Sequence, residues 1–272
     1  MSKQKLPFII STDELSAALP DDSVLLVAVC SRQVFETYHI PGSVLVEPAE
    51  LVAGEKPAVG KIPDAERLSA LFSRIGLTAD RQVIAYDDEG GGWAGRLIWT
   101  LEMVGHLQAS CLDGGLVAWM KAGLPVTNKP AVEHSSSYSA SIDRDQIASL
   151  DDVLLQIDDP QSIVWDARAR EEFEGRKVTA QRNGHIPNAV NLDWLELMDR
   201  ENDLRLKPLA EIAAQLQTLG INKDKQVITH CQTHHRSGLS WLVGKALGLS
   251  IRAYDGSWSE WGNRTDTPIE TG

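Results

Sequence analysis

The stretch Gln226-Val227-Ile228-Thr229-His230-Cys231-Gln232-Thr233-His234-His235-Arg236-Ser237-Gly238 decides how this chain is read. A β-branched run stops at a cysteine, polar residues follow as far as Arg236, and the pattern then turns apolar with helical period. Leu239, Leu242, Val243, Ala246 and Leu247 fall at i, i+3, i+4, i+7 and i+8, which is one face of an amphipathic helix. Cys231 therefore stands where a strand ends and a helix begins. Unpaired backbone N–H groups and the positive end of the helix dipole converge there and favour an anion. A thiolate in such a place is stabilised, and a thiol pKa of about 8.5 can fall by one or more units. The pattern reads as a nucleophilic sulfur.

Outward from this stretch, the chain repeats itself at a spacing of roughly half its length, which points to duplication. His39-Ile40-Pro41-Gly42-Ser43-Val44 recurs as His185-Ile186-Pro187-Asn188-Ala189-Val190. Gly76 and Asp80 before Gln82-Val83-Ile84 recur as Gly220 and Asp224 before Gln226-Val227-Ile228. Asp113-Gly114 with Trp119 recurs as Asp255-Gly256 with Trp261, and the second copy carries one extra stretch, Gly175 to Arg182. Between the copies, near Asn128 to Ala140, Lys129-Pro130, His134 and four serines replace any apolar periodicity. The expected organisation is a first domain over 7–128, a linker over 129–140 and a second domain over 141–270. Within each copy short β-branched runs alternate with helical patterns. That predicts an α/β fold, each domain a mainly parallel sheet flanked by helices on both faces. Reactive sites of such sheets lie at the carboxyl ends of strands, where Cys231 stands. The aligned position in the first copy is Asp87, beside Asp88 and Glu89, so that copy is expected to be catalytically inactive and to repel an anionic substrate.

The bulk numbers narrow the class. With 272 residues, 43% hydrophobic and 24% charged, the chain has globular composition and room for about two domains. Acidic residues outnumber basic ones, 38 to 26, for a formal charge of −12. This argues against a nucleic-acid backbone or an anionic membrane as partner. No apolar run approaches the ~20 residues that span a bilayer. The apolar stretch Leu6 to Ile10, behind an N-terminus with two lysines, is too short for a signal-peptide core, so cytoplasmic residence is expected. The cysteines, Cys30, Cys111 and Cys231, are odd in number and widely separated, unlike a disulfide framework.

Phe35-Glu36-Thr37-Tyr38-His39-Ile40-Pro41-Gly42 resembles one signature of the rhodanese (thiosulfate sulfurtransferase) family, and Tyr254-Asp255-Gly256-Ser257-Trp258-Ser259-Glu260-Trp261 resembles the other. The string from Cys231 to Arg236 is similar to the family's six-residue active-site loop, in the form of a bacterial type exemplified in Azotobacter. The tandem arrangement with an inactive first domain resembles that of the two-domain sulfurtransferases. The resemblance implies that Cys231 takes a sulfane sulfur from thiosulfate, holds it as a persulfide and yields it to a thiophilic acceptor such as cyanide. The loop departs from the vertebrate type, which carries two cations where Gln232 and Thr233 stand, and from the Gly-Ser-Gly of mercaptopyruvate enzymes. A 3-mercaptopyruvate donor is therefore the alternative within the family.

Around Cys231, the loop amides from Gln232 to Arg236 are expected to cradle the sulfur as an anion nest. Arg236 is the fixed cation for a sulfonate or, alternatively, a lock on the loop through a carboxylate such as Asp166. His234 and His235 add charge or donors at the mouth, or are exposed polar residues. Asp166 and Arg168, present only in the second copy, read as site support or as a surface ion pair. Metal ligation by His230, Cys231, His234 and His235 is disfavoured, since adjacent ligands from one loop rarely close a tetrahedral site, and no cofactor is expected. The expected partners are a small anionic sulfur donor, a thiophilic acceptor and a sulfur-accepting protein, with the chain itself a monomer. Outside the family, a cysteine-based phosphatase would use a loop one residue longer, and a non-catalytic binding module would have lost Cys231.

Overall fold

The computed structural model describes residues 6–130 and 135–272; Lys3, Lys5 and His134, noted in the sequence, lie outside them. Two compact units are present. The first comprises residues up to Leu51, Pro63–Ile142 and Arg200–Arg205; the second comprises Val52–Ile62, Asp143–Asp199 and Leu206–Gly272. Each unit thus takes in one short segment encoded in the other half of the chain. In each copy that segment comes soon after a 3-10 turn, Pro48–Leu51 or Trp194–Leu197.

The first unit is a five-stranded sheet of β1 (Ile9–Ile10), β2 (Val24–Val29), β3 (Val44–Val46), β4 (Gln82–Tyr86) and β5 (Ala109–Leu112), in the order β1-β5-β4-β2-β3. All pairings are parallel. Helices α1 (Thr12–Ala18), α2 (Arg32–Thr37), α3 (Ala65–Arg74), α4 (Gly92–Met103) and α5 (Gly115–Lys121) surround it. Because parallel strands are covered on both faces, they read as continuous apolar runs, as Val24–Val29 does. Leu26, Ala28, Ile84, Tyr86, Leu112, Leu116 and Trp119 share one buried cluster.

The second unit repeats the plan. Strands β6 (Ile147–Ala148), β7 (Ser162–Asp166), β8 (Val190–Asn191), β11 (Gln226–His230) and β12 (Ser250–Tyr254) form a parallel sheet in the order β6-β12-β11-β7-β8. Around it lie α6 (Leu150–Gln156), α7 (Arg170–Phe173), α8 (Leu209–Thr218), α9 (Arg236–Ala246) and α10 (Ser257–Trp261). The two-residue strands β9 (Met198–Asp199) and β10 (Arg205–Leu206) fall between β8 and α8. Duplication shows in detail: Ser11 with Glu14, and Ser149 with Asp152, form matching capping boxes on α1 and α6. His39 stacks on Phe35 and His185 on Phe173, ring centroids 3.7 Å apart in both. Each imidazole Nδ1 also bonds the carbonyl of the phenylalanine it covers, at 2.7 and 2.8 Å. These histidines fasten turns in both copies. Among the described residues no helix is long and apolar enough to cross a membrane.

The strand order reverses between β7 and β11, so their carboxyl ends flank a topological switch point, where open α/β sheets bind ligands. Asp166 ends β7 and pairs in register with His230, which ends β11. Cys231 is the next residue.

Candidate active site

The loop from Cys231 to Arg236 joins β11 to α9, and Cys231 is buried, 1% exposed. His234 sits in the left-handed region at φ 55°, followed by His235 in the right-handed helical region. An alternation of this kind turns successive N–H groups to one side. The loop carbonyls are held the other way. The Trp258 N–H donates to the Cys231 carbonyl at 3.0 Å and the Ser259 N–H to the Gln232 carbonyl at 2.9 Å. Since a trans peptide is planar with C=O and N–H opposed, fixing these carbonyls aims the amides of Gln232 and Thr233 away from α10. The second signature of the sequence therefore orients the loop, and its Trp258 and Trp261 are fully buried core.

Burial opposes ionisation of the Cys231 thiol, yet the Arg236 charge, the Ser237 hydroxyl and amide that hydrogen-bond the sulfur, and His235 together hold it below the ordinary thiol range. Ser237 is tied in turn to His234, whose Nδ1 lies 2.8 Å from the hydroxyl. A Ser237 hydroxyl that donates to sulfur keeps its lone pairs for a His234 Nδ1–H. His234 is thus buried and turned inward, not placed at the mouth. Half-buried His235 lies against Trp194, centroids 5.5 Å apart.

Arg236 donates through Nη1 to Glu172 Oε2 at 2.6 Å and through Nη2 to Glu172 Oε1 at 3.0 Å. The carboxylate that takes the guanidinium is Glu172, not Asp166. Burial pushes the Glu172 carboxyl up, but the Arg236 hydrogen bonds and charge outweigh it and hold the group below its usual range. Asp166 is bound to Arg168 in a pair with neither side chain exposed, Nη2 to Oδ2 at 2.6 Å and Nε to Oδ1 at 3.0 Å. The surface-pair alternative for these two is therefore excluded. Arg168 also donates to the Gly184 carbonyl at 2.8 Å and lies over the Trp258 ring at 4.2 Å. Despite its burial, Asp166 is held low by Arg168 and His230. The His230 imidazole spans from the Cys231 carbonyl at 3.1 Å to Asp166 Oδ2 at 3.5 Å, and burial lowers its own pKa. Gln232 spends its carboxamide on the extra stretch of the second copy: Nε2 donates to the Thr179 carbonyl at 3.0 Å, and Oε1 accepts from the Thr179 hydroxyl at 2.9 Å.

The first copy's loop, at the aligned position, is an anion nest filled by a side chain. Asp87 Oδ1 accepts from the amides of Glu89, Gly90 and Gly91 at 3.1, 3.1 and 2.9 Å, and Oδ2 from those of Trp93 and Ala94, both at 3.0 Å. Burial pushes this carboxyl up, and so does Glu89, against the amides. Five donors aimed at two oxygens nonetheless describe a carboxylate, since a protonated oxygen would turn a donor toward donors. The sequence suggested a loop that repels anions; the structure shows one already filled by its own side chain.

Sequence reasoning missed Ser237, Glu172 and Trp194. A comparison of the copies carried one signal: Phe173 aligns with Phe35, so Glu172 faces Val34, a charge gained where Arg236 needs a partner.

Comparison with known proteins accords with this geometry. Residues 11–122 and 149–264 match the rhodanese-like domain family. Over 266 residues, 97% of either chain, the sequence is 41% identical to a thiosulfate sulfurtransferase of Azotobacter vinelandii and 40% identical to one of Pseudomonas aeruginosa. It is 30% identical to the sulfur carrier protein TtuD of Thermus thermophilus, covering 97% of this chain and 96% of that one. Among solved structures, an anaerobic ergothioneine biosynthesis enzyme from Chlorobium limicola superposes with a TM-score of 0.87 at 20% identity, over 97% of this chain and 70% of that one, a likeness of fold. With two matched domains and relatives of this similarity along almost its whole length, the chain belongs to the rhodanese-like family.

Proposed function

We propose that the protein is a sulfurtransferase that uses Cys231 to carry a sulfane sulfur from thiosulfate to a thiophilic acceptor such as cyanide. The Cys231 thiolate attacks the outer sulfur, the S–S bond of thiosulfate breaks, and sulfite leaves with the bonding pair. Cyanide then attacks the terminal sulfur of the persulfide, forms thiocyanate and returns the thiolate. Splitting one transfer into two displacements is nucleophilic catalysis of the ordinary kind. The observation that carries this reading is the placement of the Cys231 thiol, buried directly after β11 at the head of the six-residue loop that leads into α9, with the Ser237 hydroxyl and amide on the sulfur and the Arg236 charge beside it. Relatives named thiosulfate sulfurtransferases support the choice of donor.

In the same reading Arg236 keeps a positive charge beside the sulfur, Asp166, Arg168 and His230 brace the loop from below, and the first copy carries no chemistry because Asp87 fills its nest. A relative named a sulfur carrier protein favours a protein among the acceptors. The three free cysteines fit a reducing cytoplasm. Intact mass after thiosulfate treatment is expected to rise by one sulfur atom and to revert with cyanide, while Cys231→Ser shows neither change. Loading that persists in Cys231→Ser would reject the assignment.

A further inference from the structure

The second unit contains a segment from the first half of the chain, and that segment lies on the catalytic loop. Val52–Ile62 forms a tight arm: the Ala53 amide bonds the Lys61 carbonyl at 2.7 Å and the Gly54 amide the Val59 carbonyl at 3.0 Å. Its far end approaches Thr233 so closely that no side chain fits. A β-carbon placed on Gly60 would lie 2.6 Å from the Thr233 carbonyl carbon and 2.7 Å from its Cα, and would overlap the carbonyl oxygen. Two neighbours anchor the arm to the segment that orients the loop. The Ile62 amide donates to Asp255 Oδ2 at 2.8 Å, and Lys61 Nζ reaches Glu260 Oε1 at 2.6 Å. Glu260 also accepts from the Tyr254 hydroxyl at 2.9 Å.

The consequence follows from peptide geometry. Trp258 and Ser259 hold the carbonyls of Cys231 and Gln232 and so aim the next two amides, Gln232 and Thr233. The third peptide, Thr233 to His234, has its carbonyl against Gly60. We infer that the far end of this arm, and not its tip, belongs to the active site, with Gly60 and Lys61 as positioning residues that aim the His234 amide into the sulfur-binding nest. The inference rests on the sulfurtransferase reading for its chemistry but not for its geometry. It gives the catalytically silent copy a function: its sequence supplies one wall of the nest.

The test uses Gly60→Ala in the full chain, with Glu55→Ala, exposed at the tip of the same arm, as control. Three readouts apply: steady-state transfer from thiosulfate to cyanide, the pH midpoint of Cys231 alkylation by iodoacetamide, and the thermal melt. Displacing one amide by a fraction of an ångström is expected to lower kcat by up to about a hundredfold. The alkylation midpoint should also rise, with a cooperative melt retained and Glu55→Ala like the parent. A folded Gly60→Ala with parental kcat and midpoint would overturn the inference. If Gly60→Ala does not fold, Lys61→Gln decides. Loss of one anchor should lower kcat several-fold and raise the midpoint, and parental values for both would overturn it equally. A parent enzyme inert toward thiosulfate, with the midpoint still shifted in the variant, would sink the sulfurtransferase reading and leave the arm standing.

Discussion

Arg236 offers both terminal nitrogens to Glu172, so its guanidinium is held rather than free to follow a substrate. Lysine at this position keeps a charge and loses the fork. A charge-assisted hydrogen bond of this kind is worth about 1.5–3 kcal/mol, or roughly ten- to a hundredfold in rate if all of it bears on the loop. Arg236→Lys is therefore expected to slow sulfur loading from thiosulfate and unloading to cyanide together, and Glu172→Gln to reproduce the loss. Rapid-reaction measurement of the two half-reactions decides the matter: a defect confined to loading assigns the guanidinium to the sulfonate instead. Ser237 acts on the sulfur itself. Its hydroxyl and amide help hold the Cys231 thiol low, and Ser237→Ala removes only the hydroxyl. The alkylation midpoint of Ser237→Ala should move upward, toward an ordinary thiol, while the melt barely changes. A parental midpoint would show that the hydroxyl contributes nothing to thiolate stability.

At the scale of an element, the two strand–loop–helix units are one device with two fillings. The loop before α4 carries Gly90 and Gly91 at φ near 100° and wraps a carboxylate; the loop before α9 begins at a thiol that takes the Ser237 hydroxyl and amide. Asp87→Asn keeps the shape but replaces an acceptor oxygen by a donor, leaving buried amides without their partner at about 1–3 kcal/mol. Its midpoint of thermal unfolding should fall, whereas sulfur transfer per folded molecule stays parental, because the proposed nucleophile, Cys231, lies in the other loop. Reduced transfer in folded Asp87→Asn would mean the first loop takes part in the chemistry. The strand, loop and helix around Cys231 were legible because apolar period changes from strand-like to helical across six residues. The Asp87 substitution was legible too, from the alignment of the copies. What Asp87 does with five amides was not, since backbone direction leaves no mark on composition. Nor was the inward turn of His234, which depends on a left-handed residue that is not glycine. Residues 52–62 carry no apolar period, and only their long-range contacts, Gly60 to Thr233 above all, give them a place.

Duplication supplies the molecule with its own reference state. At the end of β2 the first copy has Ala28 and Cys30, both buried, where the second has Asp166 and Arg168 at the end of β7. The first copy shows that this position folds without a charge pair. A buried ion pair often adds little over apolar side chains, yet removing one partner costs about 3–5 kcal/mol. Arg168→Met should accordingly be strongly destabilised, and Asp166→Ala combined with Arg168→Met should recover much of the loss. The pH dependence separates the two. In the parent, Asp166 is held below its unfolded value, so its contribution is present above the unfolded pKa of about 3.9 and is lost as pH falls through the folded one. In Arg168→Met the largest opposing charge is gone and burial pushes the carboxyl up. The sign reverses: the variant stands best in acid and loses stability as pH rises through the raised value. Urea unfolding from pH 5 upward should show the gap between parent and Arg168→Met widening with pH, and a flat gap for the double variant. Sulfur transfer should not recover with stability, because the double variant still lacks the carboxylate facing His230 beneath Cys231. A double variant as unstable as the single one, with a parallel pH profile, would mean that the position needs the volume of Arg168 over Trp258 rather than its charge.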